Sequence, residues 1–168
     1  FLPTDIHELL MNYYDDSDKM MLRNTNKFFN VLLKDEKIKV SSQLIARKGY
    51  LEILKWARKN GCSWNKNTCS NAALNGHLKV LKWLREKGCP WNELTCVYAA
   101  NGGHLNVLKW ARENGCPWNV STCSSAAENG HLDVLKWARE NGCPWNHLTC
   151  DNAASGGHLE VLKWAREN

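Results

Sequence analysis

A segment reading Gly-Cys-Pro-Trp-Asn recurs at a fixed interval along this chain, and this repetition constrains the fold more than any other feature. It begins at Gly88, Gly115 and Gly142, and the variant Gly-Cys-Ser-Trp-Asn begins at Gly61, so successive starts lie 27 residues apart. Gly-His and Lys-Trp pairs recur with the same period, which accounts for most of the nine Trp and eight Cys residues. A fixed period of this length predicts an array of like units, each of which buries its apolar side against its neighbours.

Each unit is predicted to contain two short helices. Asn65 is a suitable N-cap, and Cys69, Ala72 and Ala73 follow it on one face of a helix. A second amphipathic helix is predicted from Leu78 to Glu86, and glycines end both helices. No alternation with a period of two residues persists, so no strand is predicted. The predicted fold is therefore all-α, a helical-repeat solenoid of about five two-helix units with a small N-terminal helical module.

The predicted boundaries follow from the period. The helical module covers residues 1–38 and the repeats cover residues 40–168. The units are placed at about 40–65, 66–92, 93–119, 120–146 and 147–168. The first unit is degenerate, with Tyr50 where later units have His. The chain begins with Phe1 and stops where a further Gly-Cys is expected, so we expect a fragment of an array that continues.

One face of the first helix varies between units, whereas the face with the Cys and the two alanines does not. Side chains free of packing constraints and aligned along a solenoid suit the recognition of a partner protein. The alternative interpretation is unselected drift on a solvated face. The predicted partner-binding stripe comprises Asn67, Ser70, Asn71, Leu74, Leu94, Val97, Tyr98, Asn101, Ser121, Ser124, Ser125, Glu128, Leu148, Asp151, Asn152 and Ser155.

The repeated unit resembles ankyrin repeats. The segment from Gly76 to Lys82, Gly-His-Leu-Lys-Val-Leu-Lys, is similar to the family's Gly-His-Leu-Glu-Val-Val-Lys, and Gly88 to Asn92 is similar to its Gly-Ala-Asp-Val-Asn. This resemblance implies a scaffold for protein–protein interaction. The period is shorter than the usual ~33 residues, which implies a tight turn in place of the family's hairpin. Such short units, rich in Trp and Cys, are similar to the ankyrin families of giant DNA viruses that infect amoebae.

The first 38 residues carry a different pattern. Leu2-Pro3 is followed by Ile6 and a pair of leucines, and then by the acidic turn Asp15–Asp18. This pattern resembles an F-box, whose family binds the Skp-type adaptor of cullin–RING ubiquitin ligases. The resemblance implies that Leu2, Pro3 and Ile6 form the adaptor contact. The alternative is a helical cap that shields the first repeat, as the ends of solenoids require.

No motif indicates catalysis, a cofactor or a metal. Each unit places a single His after a glycine, without a nucleophile or carboxylate in register, so no catalytic residue is assigned. The cysteines alternate at spacings of 7 and 20 residues, unlike the two to four residues that separate zinc-binding thiols. The Cys beside the two alanines is predicted to be a small buried residue. We therefore expect no metal site and reduced thiols, as in an intracellular, reducing compartment.

Charge and hydropathy bear on the remaining classes. The net charge of +5 comes from a Lys and an Arg that recur in each second helix, beside a recurring Glu. A solvated outer face is favoured over a nucleic-acid interface. No apolar run approaches the ~20 residues of a membrane span, and no signal peptide is recognisable.

The sequence thus predicts a non-catalytic protein-binding scaffold. Through the F-box-like segment, it implies a substrate-recognition adaptor for a ubiquitin ligase, acting in the host cytoplasm if the source is viral. The alternatives are a ubiquitin-independent scaffold or decoy for a host protein, and a basic nucleic-acid binder.

Overall fold

The computed structural model describes residues 41–168, and these residues form ten α-helices without a strand. Residues 1–38, with Leu2, Pro3 and Ile6, lie outside the described residues. The helices are α1 (Ser42–Lys48), α2 (Leu51–Lys59), α3 (Lys66–Leu74), α4 (Leu78–Glu86), α5 (Leu94–Asn101), α6 (Leu105–Glu113), α7 (Val120–Glu128), α8 (Leu132–Glu140), α9 (His147–Ser155) and α10 (Leu159–Glu167). They alternate in the order the period predicts, so the all-α helical-repeat solenoid is confirmed.

The two helices of each unit have different neighbours. The first helices, α1, α3, α5, α7 and α9, pack against one another in a continuous row, and we call them the inner helices. The second helices, α2, α4, α6, α8 and α10, each pack mainly on the inner helix of their own unit, and we call them the outer helices. The row of inner helices therefore joins one unit to the next.

Small side chains permit the close row of inner helices. Cys96, Ala99 and Ala100 of α5 are fully buried, as are their counterparts in α3 and α7. Each outer helix contributes larger apolar side chains, of which Val107 and Leu108 of α6 are completely shielded from solvent. Small residues on the inner helices and branched residues on the outer helices thus fill one continuous core, as the recurring pattern predicts.

Asparagine side chains start three of the inner helices. The Asn65 side chain accepts a hydrogen bond from the Asn67 backbone N–H at 2.9 Å, which confirms the predicted N-cap of α3. Asn119 and Asn146 cap α7 and α9 in the same way. The α5 helix differs, because its N-cap is Glu93 in a helical conformation without a side-chain cap.

Glycines after the inner helices serve the packing between units as well as the turn. Gly76 has φ of +72°, a conformation that residues with a Cβ rarely adopt. A Cβ at this position would also lie 2.7 Å from the ring of His104 in the following unit. The same ring has its Nε2 3.1 Å from the Leu74 carbonyl oxygen. The glycine therefore leaves the space in which the next unit's histidine reaches back and docks.

Candidate partner-binding surface

The inner helices expose one side over the whole array, and most of the predicted stripe lies on it. Four members are exposed and nine are half-buried. The exposed members are Glu128, Leu148, Asp151 and Ser155. The half-buried members are Asn67, Asn71, Leu74, Leu94, Tyr98, Asn101, Ser121, Ser125 and Asn152. These side chains lie at equivalent positions of successive inner helices and form an accessible surface that runs from α3 to α9.

Three members of the stripe are buried, so the accessible surface is narrower than the sequence indicated. Ser70, Val97 and Ser124 occupy one slot of the repeat and are 1%, 7% and 7% exposed. In α9 the same slot holds Asp151, which is exposed because no further inner helix follows in the described chain. The following inner helix therefore covers this slot, and a spacing of three residues alone did not distinguish it from the solvent side.

Tyr98 is the largest side chain on the accessible surface and the only aromatic residue of the stripe. It lies half-buried on α5, at the position that Asn71, Ser125 and Asn152 occupy in other units. The Asn71 side chain donates to the Asn67 carbonyl oxygen at 2.8 Å, so its amide group is partly engaged by its own helix. Tyr98 is thus the side chain best suited to act as an anchor, since aromatic residues are over-represented among binding hot spots.

A further varying position adjoins the stripe and was missed. The residue after each unit's capping-position asparagine begins or precedes the inner helix, and it is exposed or half-buried in every unit. These residues are Lys66, Glu93, Val120 and His147. The signal that identifies them is the same variation between units that identified the stripe.

Recurring cations of the outer helices lie against tryptophan rings. The Arg112 guanidinium carbon lies 4.1 Å from the centroid of Trp118 in the loop that follows α6. The same guanidinium donates a hydrogen bond to the Cys116 carbonyl oxygen. Arg58, Arg85 and Arg139 stack on their own loop tryptophans at 4.2–4.5 Å. The expectation of a purely solvated face therefore needs correction, because these arginines brace the loops between units.

Tryptophans also meet across unit boundaries. The ring of Trp64, in the loop after α2, meets the ring of Trp83 on α4 edge to face, with centroids 5.7 Å apart. The next boundary repeats this contact between Trp91 and Trp110 at 5.9 Å. Trp83 is half-buried rather than fully enclosed. The tryptophans recur because each boundary between units needs the same pair of rings.

The cysteines lie mainly inside the array. Cys69 and Cys89 are both fully buried, and the Cys89 thiol donates to the Asn65 carbonyl oxygen at 3.5 Å. The hydrogen bond between these two thiols and their burial raise the pKa of Cys69. A thiol with a raised pKa is a poor nucleophile at neutral pH. The predicted role of the inner-helix cysteine as a small buried residue is confirmed in α3, α5 and α7, whereas Cys150 of α9 is half-exposed.

Within residues 41–168, no three His, Cys, Asp or Glu side chains are grouped so that they could hold a metal ion. Over the same residues, the structure has no helix with the length and apolar character needed to cross a membrane.

Comparison with known families identifies one part of the array. A family model described as "Ankyrin repeats (many copies)" matches residues 123–166, which run from the middle of α7 to the last turn of α10. A comparison with curated proteins finds no match. The ankyrin match covers two of the five inner helices, and the same buried pattern recurs in the units that precede it. The C-terminal part of the array is thus similar to ankyrin repeats, which generally mediate protein–protein interaction.

Proposed function

We propose that this chain is a non-catalytic scaffold that binds a partner protein through the exposed side of its inner helices. One observation carries the proposal: within a single helix type, the buried slots keep their residues from unit to unit while the exposed slots change. The buried slots hold Cys, Ala and Ala in each of the last four units, whereas one exposed slot holds Asn71, Tyr98, Ser125 and Asn152. Ankyrin repeats, which the array resembles, are typically scaffolds of this kind.

The physical argument rests on what burial demands. A buried slot accepts only residues that fit the close row of inner helices, so repetition there reflects packing. An exposed slot has no such demand, and a contiguous set of different side chains gives each stretch of the array its own shape and hydrogen-bonding pattern. A surface with these properties is suited to one extended partner rather than to a repeated ligand.

The test is a change at Tyr98. Proteins captured by the full chain from a eukaryotic cell extract are identified by mass spectrometry, and their dissociation constants are measured with purified components. We expect Tyr98→Ser to weaken the partner's binding by about tenfold or more, because truncating a central aromatic anchor has effects of this size. The matched control is Lys79→Ser on the exposed side of α4, which should leave the affinity unchanged. Equal affinities for the wild type and Tyr98→Ser contradict the assignment of this surface.

Val97 is unsuitable for this test. Its side chain is 7% exposed, so its replacement by Ser would remove packing between α5 and α7. A loss of binding in that variant would not separate a lost contact from a damaged fold.

For residues 1–38 we propose a role as an F-box that joins the bound protein to a ubiquitin ligase. The support is the sequence pattern that begins at Leu2, Pro3 and Ile6. The experiment is co-purification of the full chain with a eukaryotic Skp-type adaptor, with those three residues replaced by Ala in one variant. A control variant carries His7→Ala and Glu8→Ala in the same segment. A complex that only the first variant loses supports the adaptor role, and no complex with the wild type favours a ubiquitin-independent scaffold or decoy.

Two further readings remain proposals of lower rank. A viral source is supported only by the resemblance of the 27-residue units to those of giant DNA viruses. A nucleic-acid binder is supported only by the recurring cations, whose guanidinium groups lie over tryptophan rings. Binding to nucleic acid would show a steep loss of affinity with added salt.

A further inference from the structure

The charges of the last three units are divided between the two kinds of helix. Residues 88–108, 115–135 and 142–162 contain neither Lys nor Arg. All cations of residues 88–168 therefore occupy two slots of the outer helices: Lys109, Arg112, Lys136, Arg139, Lys163 and Arg166. The inner helices α5, α7 and α9 contain none of them.

The cations of the outer helices are held at their own positions by aromatic contacts. Arg112 stacks on Trp118 at 4.1 Å, and the Lys109 ammonium lies 5.8 Å from the ring centroid of Trp137 in the next unit. Arg139 and Lys136 repeat these contacts one unit further along. These contacts favour one orientation of each long side chain, so the cations stay beside the outer helices and their loops.

The accessible surface of the same three units is acidic. Glu128 at the end of α7 and Asp151 on α9 are exposed, and Glu93 at the start of α5 is half-buried. The first two units differ, because the exposed ends of their inner helices carry Arg47, Lys48 and Lys66. Negative charge on the inner helices is thus confined to the part of the array that also presents Tyr98.

We propose that the surface of α5, α7 and α9 binds a basic, extended segment of a partner protein. The inference rests on the proposed function and names the chemistry of the partner at that same surface. Arginine or lysine side chains of the segment pair with Glu93, Glu128 and Asp151, and opposite charges across an interface favour encounter and fix the register. The Tyr98 ring offers a face to a guanidinium and to the aliphatic stem of either side chain.

The geometry of the row sets the length of the segment. Packed helices lie about 8–10 Å apart, so three inner helices and their flanks span about 30 Å. An extended segment of about 10 residues covers this distance at about 3.3 Å per residue. The amide and hydroxyl side chains between the acidic residues, Asn101, Ser121 and Ser125, are positioned to bond the segment's backbone.

The experiment uses random peptides of about 12 residues, displayed on phage and selected against the full chain. Selected peptides are synthesised and their dissociation constants are measured against four proteins. These are the wild type, Tyr98→Ser, an inner variant with Glu93→Gln, Glu128→Gln and Asp151→Asn, and an outer variant with Glu86→Gln, Glu113→Gln and Glu140→Gln. The two triple variants change net charge equally, and the outer carboxylates are all exposed. Thermal unfolding checks that each variant is folded.

We expect the selected peptides to be rich in Arg and Lys. Their affinity should fall about tenfold in the inner variant and with added salt, since three exposed charge contacts have effects of this size, while the outer variant binds as the wild type does. Neutral or acidic peptides that depend on Tyr98 overturn the inference and leave the proposed function standing. Basic peptides that bind the two triple variants equally overturn it as well. Peptides that depend on neither Tyr98 nor the inner carboxylates overturn both proposals.

Discussion

The inner and outer helices of each unit solve opposite problems with the same 27-residue period. The outer helices and their loops repeat an Arg, a Lys and two Trp residues at every boundary, and each of these side chains contacts a neighbour. The inner helices repeat only what is buried and change what is exposed. Repetition at exposed positions therefore marks internal bracing in this molecule, and the search for a binding surface is directed to the exposed positions that differ.

The largest effect should come from a change in the buried row of inner helices. Ala100 is fully buried on α5, whereas its neighbour Asn101 lies on the accessible surface. We expect Ala100→Leu to lower the free energy of unfolding by about 3 kcal/mol, because the larger side chain forces α5 away from its neighbours.

The matched change, Asn101→Leu, should alter stability by no more than about 0.5 kcal/mol. Urea-induced unfolding followed by circular dichroism measures both. Similar losses for the two variants would mean that the inner helices do not separate packing from exposure as described.

An intermediate effect is expected where the outer helix braces its loop. Arg112→Ala removes both the stacking on Trp118 and the hydrogen bond to the Cys116 carbonyl oxygen, and should cost about 1–2 kcal/mol. Glu113→Ala, at the next and fully exposed position, serves as the control and should cost little. An Arg112 variant as stable as the wild type would return this face to the solvated role that its charge pattern suggests.

The smallest effect is expected from acid. Burial lowers the pKa of His104, and the neighbouring His131 and His77 add to this, although the hydrogen bond to Leu74 opposes it. The folded array therefore favours neutral His104, and its contribution to stability is present above the ordinary histidine pKa of about 6.5 and is lost as the pH falls through the lowered value.

The midpoint of thermal unfolding should accordingly fall on going from about pH 7.5 to pH 5, and fall less in His104→Gln. Parallel pH profiles for the two proteins would show that the histidine contact does not respond to protonation.

Local features of the fold could be predicted from the sequence. The Asn65 cap and the bounds of α4, Leu78–Glu86, agree with the residue pattern. Such features depend on residues only a few positions apart, and the fixed period extended them to every unit.

Contacts between units could not be predicted in the same way. Gly76 was interpreted as the end of a helix, but its contact with the ring of His104 joins residues 28 positions apart. Val97 was placed on the accessible surface because helical spacing gives a direction but not the position of the next helix. The stacking of Arg85 on Trp91 depends on the path of a loop that no periodicity describes.

The histidine that docks on the preceding unit has a consequence for how such arrays change over generations. The His77, His104 and His131 rings each have Nε2 at 3.0–3.1 Å from a carbonyl oxygen 30 residues earlier, so successive junctions use the same contact. In-register duplication or loss of 27 codons by unequal recombination joins one such boundary to another. The surviving boundaries keep their chemistry while the order of the exposed inner residues is reshuffled. A gene built this way can acquire new recognition surfaces by copying errors alone, before any point mutation is selected.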